Sequence, residues 1–379
     1  MPFSKVFVIG SNSAFGSRVV PSEQVDRAFG MPSGKLRHRA GIVSLAYAAK
    51  EENEGTLGTQ AAAPLMPVGK ERGPGIDWIV AASETHHAYP SLSAILHARL
   101  GLPESCSALD VGSGCLAIVQ ALAVAQALLA SGRGMRILVA SADVHSRSLR
   151  PGRADGEFGG LFGDGASAFL LSSTKPEGNR TAYRLGEFFF GCAAQYAEAI
   201  SVSDAGGGRL TVQFNGEALS RAAVNRMVKV LHEVERRSGL SRKEAGAFAT
   251  HQPNPRLVTL LAKQLKVPAS SFPPIAATRG NLGASTCGAA LHAALQHASQ
   301  QPVAQRKPIF LASLKQFQLL CSVSSAKKET LAIGGGDGLK GAFRRQEQLL
   351  VVAGSVTAED LFDLAPHRLD GVEVRRIRR

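Results

Sequence analysis

One pattern occurs twice along this chain, and it limits the fold more than any other feature. Residues 79–103 can be laid over 244–268 at a constant offset of 165. His86 then falls on His251, Pro90 on Pro255, Leu92 on Leu257, Leu96 on Leu261, Leu100 on Leu265 and Pro103 on Pro268. Each copy reads as a short apolar strand, a His-bearing turn, a helix with leucines four apart on one face, and Leu-x-x-Pro. Further on, Gly114-Cys115 falls beside Gly280-Asn281 within one residue, and Gly163-Asp164-Gly165 has a counterpart in Gly336-Asp337-Gly338 at an offset of 173. Three matches in the same order favour a duplicated half over a chance likeness between two strand–helix units.

Strand and helix signals alternate through the rest of the chain. Strands are expected near 6–10, 76–82, 108–111, 136–141 and 166–172, and helices at 91–100 and 116–130, which argues an α/β fold with central sheets. A length of 379 residues allows two or three units, and 45% apolar against 19% charged residues excludes global disorder. No apolar stretch reaches membrane-spanning length; 116–130 comes closest, and Gln120 and Gln126 interrupt it. The run at 6–10 is too short for a signal-peptide core. Five unpatterned cysteines indicate free thiols in a reducing compartment, so the expected location is the cytoplasm. The net charge of +13 predicts an anionic partner. Without zinc spacing, an RNP motif or a basic helix interleaved with aromatics, that partner is not expected to be nucleic acid.

Cys115 closes Asp110-Val111-Gly112-Ser113-Gly114-Cys115 at a strand-to-helix junction. N–H groups of the following helix point back at the sulfur, and the dipole favours thiolate. A buried structural cysteine is the plain alternative. His251 opens His251-Gln252-Pro253-Asn254-Pro255 at the end of a strand, the end at which α/β proteins place their sites; alternatively it caps helix 256–265. Asn281, in Arg279-Gly280-Asn281-Leu282-Gly283, holds the place in the second copy that Cys115 holds in the first. Two facing halves would bring both junctions to one centre.

Taken in order, Ala108-Leu109-Asp110-Val111-x-x-x-Cys115, Phe162-Gly163-Asp164-Gly165-Ala166, His251-Gln252-Pro253-Asn254 and Gly280-Asn281 resemble β-ketoacyl-[acyl carrier protein] synthase III, from about residue 4 to about 345. The resemblance implies the thiolase-like duplicated αβαβα fold. Its first half would occupy 1–175 with the nucleophile and its second 176–345 with His and Asn, followed by an unassigned extension, 346–379. It also implies an acyltransferase that condenses a Cys115-bound acyl group with a malonyl thioester. His251 and Asn281 would stabilise the enolate formed on decarboxylation, and the backbone N–H groups of Cys115 and Gly335 would form an oxyanion hole. No metal or other cofactor is needed. Phe162–Ala166 would be architectural, and the enzyme would be a homodimer. Arg39, Arg256 and Lys263 would dock CoA or an acidic acyl carrier protein.

The CoA-gripping segment departs from the family pattern. Lys35 replaces the usual Trp, Arg39 is retained, and Val43 and Leu45 replace two arginines. This leans towards a specialised pathway rather than fatty-acid initiation. Two other readings stand beside condensation: acyl transfer to an oxygen or nitrogen acceptor without decarboxylation, and a non-catalytic partner subunit of a homologous synthase.

Overall fold

The repeat becomes two mixed sheets of matching strand order. The computed structural model describes residues 5–66, 75–112, 114–176, 182–186, 188–192, 200–214, 216–314 and 318–324, which fall in a compact unit spanning Met1–Glu329. The chain begins with β1 (Phe7–Phe15), β2 (Arg18–Pro21), α1 (Ser22–Ala28), β3 (Ser44–Tyr47) and α2 (Glu54–Ala62). Next come β4 (Trp78–Ala82), α3 (Leu92–Arg99), β5 (Ser107–Asp110), α4 (Ala117–Ala130) and β6 (Arg136–Val144). Single helical turns α5 (His145–Ser148) and α6 (Gly156–Gly159) lead to β7 (Asp164–Ser172) and β8 (Tyr183–Arg184). The second copy holds β9 (Phe189–Cys192), the hairpin β10 (Ile200–Gly206) and β11 (Arg209–Phe214), α7 (Gly216–Ser238) and β12 (Ala247–Thr250). It continues with α8 (Pro255–Leu265), α9 (Ile275–Arg279), α10 (Ser285–Ser299), β13 (Ile309–Leu314) and β14 (Gln318–Ser324). The β10–β11 hairpin has no forerunner in the sequence reading; three consecutive left-handed glycines, Gly206–Gly208, make its turn.

The first sheet has the order β5-β4-β6-β7-β1-β8 and the second β12-β13-β14-β9. β4 lies parallel to β6, and β7 runs antiparallel to both β6 and β1. β12 lies parallel to β13, and β14 runs antiparallel to both β13 and β9. Four strands of the second sheet thus repeat β4, β6, β7 and β1 in order and direction, as the duplicated arrangement requires.

Between the sheets lie α4 and α10. Ile118 and Leu122 of α4, with Ala290 and Leu291 of α10, share one core with Val80, Val139 and Phe169 of the first sheet and Ala249, Ile309 and Leu311 of the second. A helix packed against two sheets must be apolar over most of its circumference, which explains the near-continuous run at 116–130. Alternate strand residues face outward: Ile79 and Leu138 pack against Leu57, Leu92 and Leu96 of α2 and α3. On the far side, Phe248 and Phe310 pack against Val230, Leu231 and Leu261 of α7 and α8. The leucines matched at 165 therefore serve equivalent outer helices.

The constant offset fails at the strands. β4 ends at Ala82 and β12 at Thr250, 168 apart. The first turn is three residues longer than the offset assumes, and Ser83, Glu84 and Thr85 fill the excess. His251 follows its strand directly, whereas His86 stands four residues beyond β4 and is not its topological counterpart.

The two copies are joined by backbone. Phe162 and Asn281 form a parallel bridge: Gly163 N donates to the Asn281 carbonyl at 2.9 Å, and Asn281 N donates to Leu161 O at 2.9 Å. A Cβ on Gly163 would collide with the Arg279 carbonyl oxygen and stand 3.0 Å from that of Ala46. Asp164 accepts from Ala48 N at 2.6 Å and Ser146 N at 2.8 Å. These bonds support the architectural part expected of the Gly-Asp-Gly motif. Its second counterpart, 336–338, and the extension 346–379 lie outside the described residues.

Gly163→Ala has only backbone to push against, so the joint itself must open. The variant should lose about 1–3 kcal/mol or more of stability, seen as a lowered Tm on thermal denaturation. An unchanged Tm would mean that the joint tolerates a Cβ.

Candidate active site

Each predicted residue sits on a braced turn. Asp110, ending β5, accepts from Leu92 N at 3.0 Å and Ser93 N at 2.9 Å and so caps α3. Cys115 lies in the short helical turn Gly114–Leu116 that leads into α4. It is partly exposed, and its carbonyl accepts from Ser313 Oγ of β13 at 3.2 Å. His251 is buried directly after β12, with its N–H bonded to Ala312 O at 3.2 Å. Gln252 holds that loop by donating to Pro273 O at 2.7 Å and accepting from Ala276 N at 3.2 Å. The cap of α8 is Asn254, whose Oδ1 accepts from Leu257 N at 3.0 Å. His251 is thereby released from the capping role that was its plain alternative.

Asn281 is buried four residues ahead of α10. Its Oδ1 accepts from Gly283 N at 3.1 Å and Thr286 Oγ1 at 3.0 Å. With the oxygen occupied by two donors, the amide NH2 is the end available to another molecule.

The group that connects these residues is Glu84, which the sequence reading missed. Its Oε2 accepts from His145 Nε2 at 3.3 Å, and its carboxylate interacts with the Cys115 thiol and with the charge state of His251. Gly283, at φ +59, lies so close that a Cβ there would meet the His145 ring and stand 3.2 Å from the Glu84 carboxyl carbon. The turn that carries Asn281 therefore abuts the Glu84–His145 pair, and Glu84 ties Cys115, His251 and the Asn281 turn to one centre. The sequence did hold a signal: a carboxylate in a polar run at the C-terminal end of a buried strand.

Asp143 holds this arrangement in place. Its Oδ1 accepts from Glu84 N at 2.6 Å and Ser83 Oγ at 3.2 Å, and its Oδ2 from Ser285 N at 3.2 Å and Ser285 Oγ at 3.3 Å. One carboxylate thus joins the first copy's turn to the start of α10. Burial pushes Asp143 up to about 7, against His145 and the backbone donors. Burial would also raise Glu84, but His145 and Cys115 hold it below the usual carboxylate range. His145 is raised despite its burial, chiefly by Glu84, so the two form an ion pair; the His145 ring also stacks on Phe162 with centroids 4.6 Å apart. His251 is different: burial brings it down to about 4, and it stays neutral at physiological pH.

Beside His251 lies a small cavity of about 50 Å³, walled by Val224 and Met227 of α7 and by Pro253, Leu257 and Leu261. The cations expected to dock a carrier sit further out. Arg39 and Lys263 are exposed, and Arg256 donates to the His38 carbonyl at 2.7 Å. Lys35 pairs with Glu157, and Arg37 with Glu23 at 2.7 Å. Gly335 lies outside the described residues.

Two family models match in order. That of 3-oxoacyl-[acyl-carrier-protein (ACP)] synthase III matches residues 109–187, and that of its C-terminal part matches 236–309. The β-ketoacyl-[acyl-carrier-protein] synthase III of a Ruegeria species is 27% identical over 303 residues, 79% of this chain and 92% of that relative. Among solved structures, a β-ketoacyl-[acyl carrier protein] synthase III from Thermus thermophilus shares the fold with a TM-score of 0.72 at 22% identity, over 87% of this chain and 99% of that one. The 3-oxoacyl-(acyl carrier protein) synthase III of Pseudomonas aeruginosa does so with a TM-score of 0.71 at 22% identity, over 85% and 98%. In both matched segments and over most of its length, the chain is therefore similar to β-ketoacyl-[acyl carrier protein] synthase III, and it shares that enzyme's thiolase-like fold.

Proposed function

We propose that this chain carries out a decarboxylative Claisen condensation in which Cys115, His251 and Asn281 hold the catalytic roles. Cys115 attacks an acyl thioester and keeps the acyl group as an enzyme thioester. A malonyl thioester then binds with its thioester oxygen at the N–H of His251 and the amide NH2 of Asn281. Loss of CO2 leaves negative charge on that oxygen; the enolate carbon attacks the acyl-enzyme carbonyl, the bond to Cys115 Sγ breaks, and the 3-oxoacyl thioester leaves with Cys115 regenerated.

The observation that carries this reading is the pair of neutral donors. The Asn281 carboxamide oxygen is held by Gly283 and Thr286, and His251 is neutral because it is buried. Fixed neutral N–H groups favour charge that develops during reaction and need no reorganisation when it appears. A non-catalytic subunit would have no use for such a pair.

The acyl donor fits a carrier-protein thioester better than CoA. Lys35 and Arg37, in the segment that grips CoA in the family, already pair with Glu157 and Glu23. Arg39 and Lys263 remain for an acidic carrier, with Arg256 beside them. Among the described residues, no helix is long and apolar enough to cross a membrane, which is compatible with work in the cytoplasm. A homodimer is supported by β5, an edge strand of the first sheet whose four residues are all exposed; pairing with a second copy would cover it.

Two outcomes test this reading. Cys115→Ala should form no acyl-enzyme. Asn281→Ala should still load acyl groups while condensation and CO2 release fall about 10²–10³-fold, followed by intact mass and by trapped labelled CO2. Poor loading with normal decarboxylation would reverse the role of Asn281 and favour the non-decarboxylating alternative. For assembly, light scattering should give twice the chain mass, and Leu109→Asp on β5 should shift it towards the monomer. A wild-type monomer at all concentrations would remove the dimer.

A further inference from the structure

Asn281 stands ahead of α10, and its main chain is secured without help from its side chain. Asn281 N donates to Leu161 O and Gly163 N to Asn281 O, each at 2.9 Å. The first turn of α10 is anchored separately. Ser285 N donates to Asp143 Oδ2 at 3.2 Å, and Ser285 Oγ lies 3.0 Å from Ser141 Oγ of β6. Ser141 Oγ lies in turn 2.9 Å from Ser167 Oγ of β7. Turn and helix are thus fixed against the first copy. These bonds leave one thing undecided, the direction of the Asn281 carboxamide. Its two ends are alike in shape and opposite in hydrogen bonding.

The side chain that settles the direction belongs to Thr286, which is fully buried. Its Oγ1 accepts from Leu282 N at 2.8 Å. A backbone N–H can only donate, so the hydroxyl keeps its own proton to give. A helical Thr commonly gives that proton to the carbonyl one turn back. Thr286 instead reaches past the start of α10 and donates to Asn281 Oδ1 at 3.0 Å. Gly283 N, also a donor only, meets the same oxygen at 3.1 Å. One donor would leave the amide free to swing about it; two fix its plane. Turned the other way, the amide would set its NH2 against the Gly283 N–H and deprive the Thr286 proton of its acceptor. We propose that Thr286 is a positioning residue for Asn281, holding the carboxamide so that its NH2 faces the malonyl thioester oxygen. This rests on the reading of Asn281 as a donor to the enolate.

Thr286→Val keeps the shape of the side chain and removes the hydroxyl. Acyl loading of Cys115 should be unchanged, read by intact mass spectrometry. Condensation with a malonyl thioester should fall about 10–10²-fold. The loss should lie in kcat, with KM for the malonyl thioester little changed, because charge reaches the oxygen only as CO2 leaves. Thr286→Ser restores the hydroxyl and should recover most of the rate. The Asn281→Ala background separates positioning from a structural part. With the amide gone, adding Thr286→Val should cost condensation nothing further. Equal loss of loading and condensation overturns the proposal, as does wild-type condensation by Thr286→Val. So does a Ser variant no faster than the Val variant, or a further loss on top of Asn281→Ala. If Thr286→Val does not fold, Thr286→Ala removes the same hydroxyl without a new methyl, and the same comparisons decide. If neither folds, neutron diffraction of the wild type locates the hydroxyl proton. A proton between Thr286 Oγ1 and Asn281 Oδ1 supports the proposal, and one directed elsewhere overturns it. Condensation by the wild type reports on the condensing reading itself, so its failure is distinct from failure at Thr286.

Discussion

The centre of this molecule depends on a few hydrogen bonds between its two copies. Asn281 exchanges backbone bonds with Leu161 and Gly163, and Asp143 collects donors from Ser83 and Glu84 on one side and Ser285 on the other. The Asn281 bonds are backbone to backbone at 2.9 Å, and those to the Asp143 carboxylate run from 2.6 to 3.2 Å. Gly163 permits the first, since any side chain there would strike the Arg279 carbonyl. The turns of the candidate site are therefore held by the same bonds that hold the halves together, and stability and site geometry are hard to separate.

A second constraint is the middle layer. α4 and the buried face of α10 share one core with both sheets, so α4 is apolar along nearly its whole length. Their N-termini consequently open at one place, where Cys115 leads into one helix and Asn281 stands ahead of the other. Duplication builds such a site economically: each copy supplies one helix start and one strand end, and divergence assigns them different chemistry. In the first copy the strand end is three residues longer and carries Glu84; in the second it carries His251.

Much of this was legible in the sequence. The leucines matched at 165 do lie on equivalent outer helices, and Cys115, His251 and Asn281 do stand on the turns expected for them. What escaped the reading has physical causes. A constant offset hides a three-residue excess when flanking helices still align, so His86 was matched to His251 and Glu84 was passed over. Asp143 and His145 sit at the end of β6, and sequence alone does not tell that a buried carboxylate there collects donors from both copies. The β10–β11 hairpin was missed because its polar alternation and three glycines resemble a loop. Nor does sequence alone tell that Lys35 and Arg37 are paired with Glu157 and Glu23.

The central claim is that Cys115 carries an acyl group which a malonyl thioester then removes with loss of CO2. The most direct measurement is intact-protein and peptide mass spectrometry of the wild type across acyl-carrier-protein and acyl-CoA donors, before and after a malonyl-carrier chase. The account predicts one acyl adduct, on the peptide bearing Cys115, loaded faster from a carrier protein than from CoA. The chase should discharge it to a product longer by two carbons. No adduct from any donor, or an adduct on another residue, or one that the chase leaves in place, would contradict it.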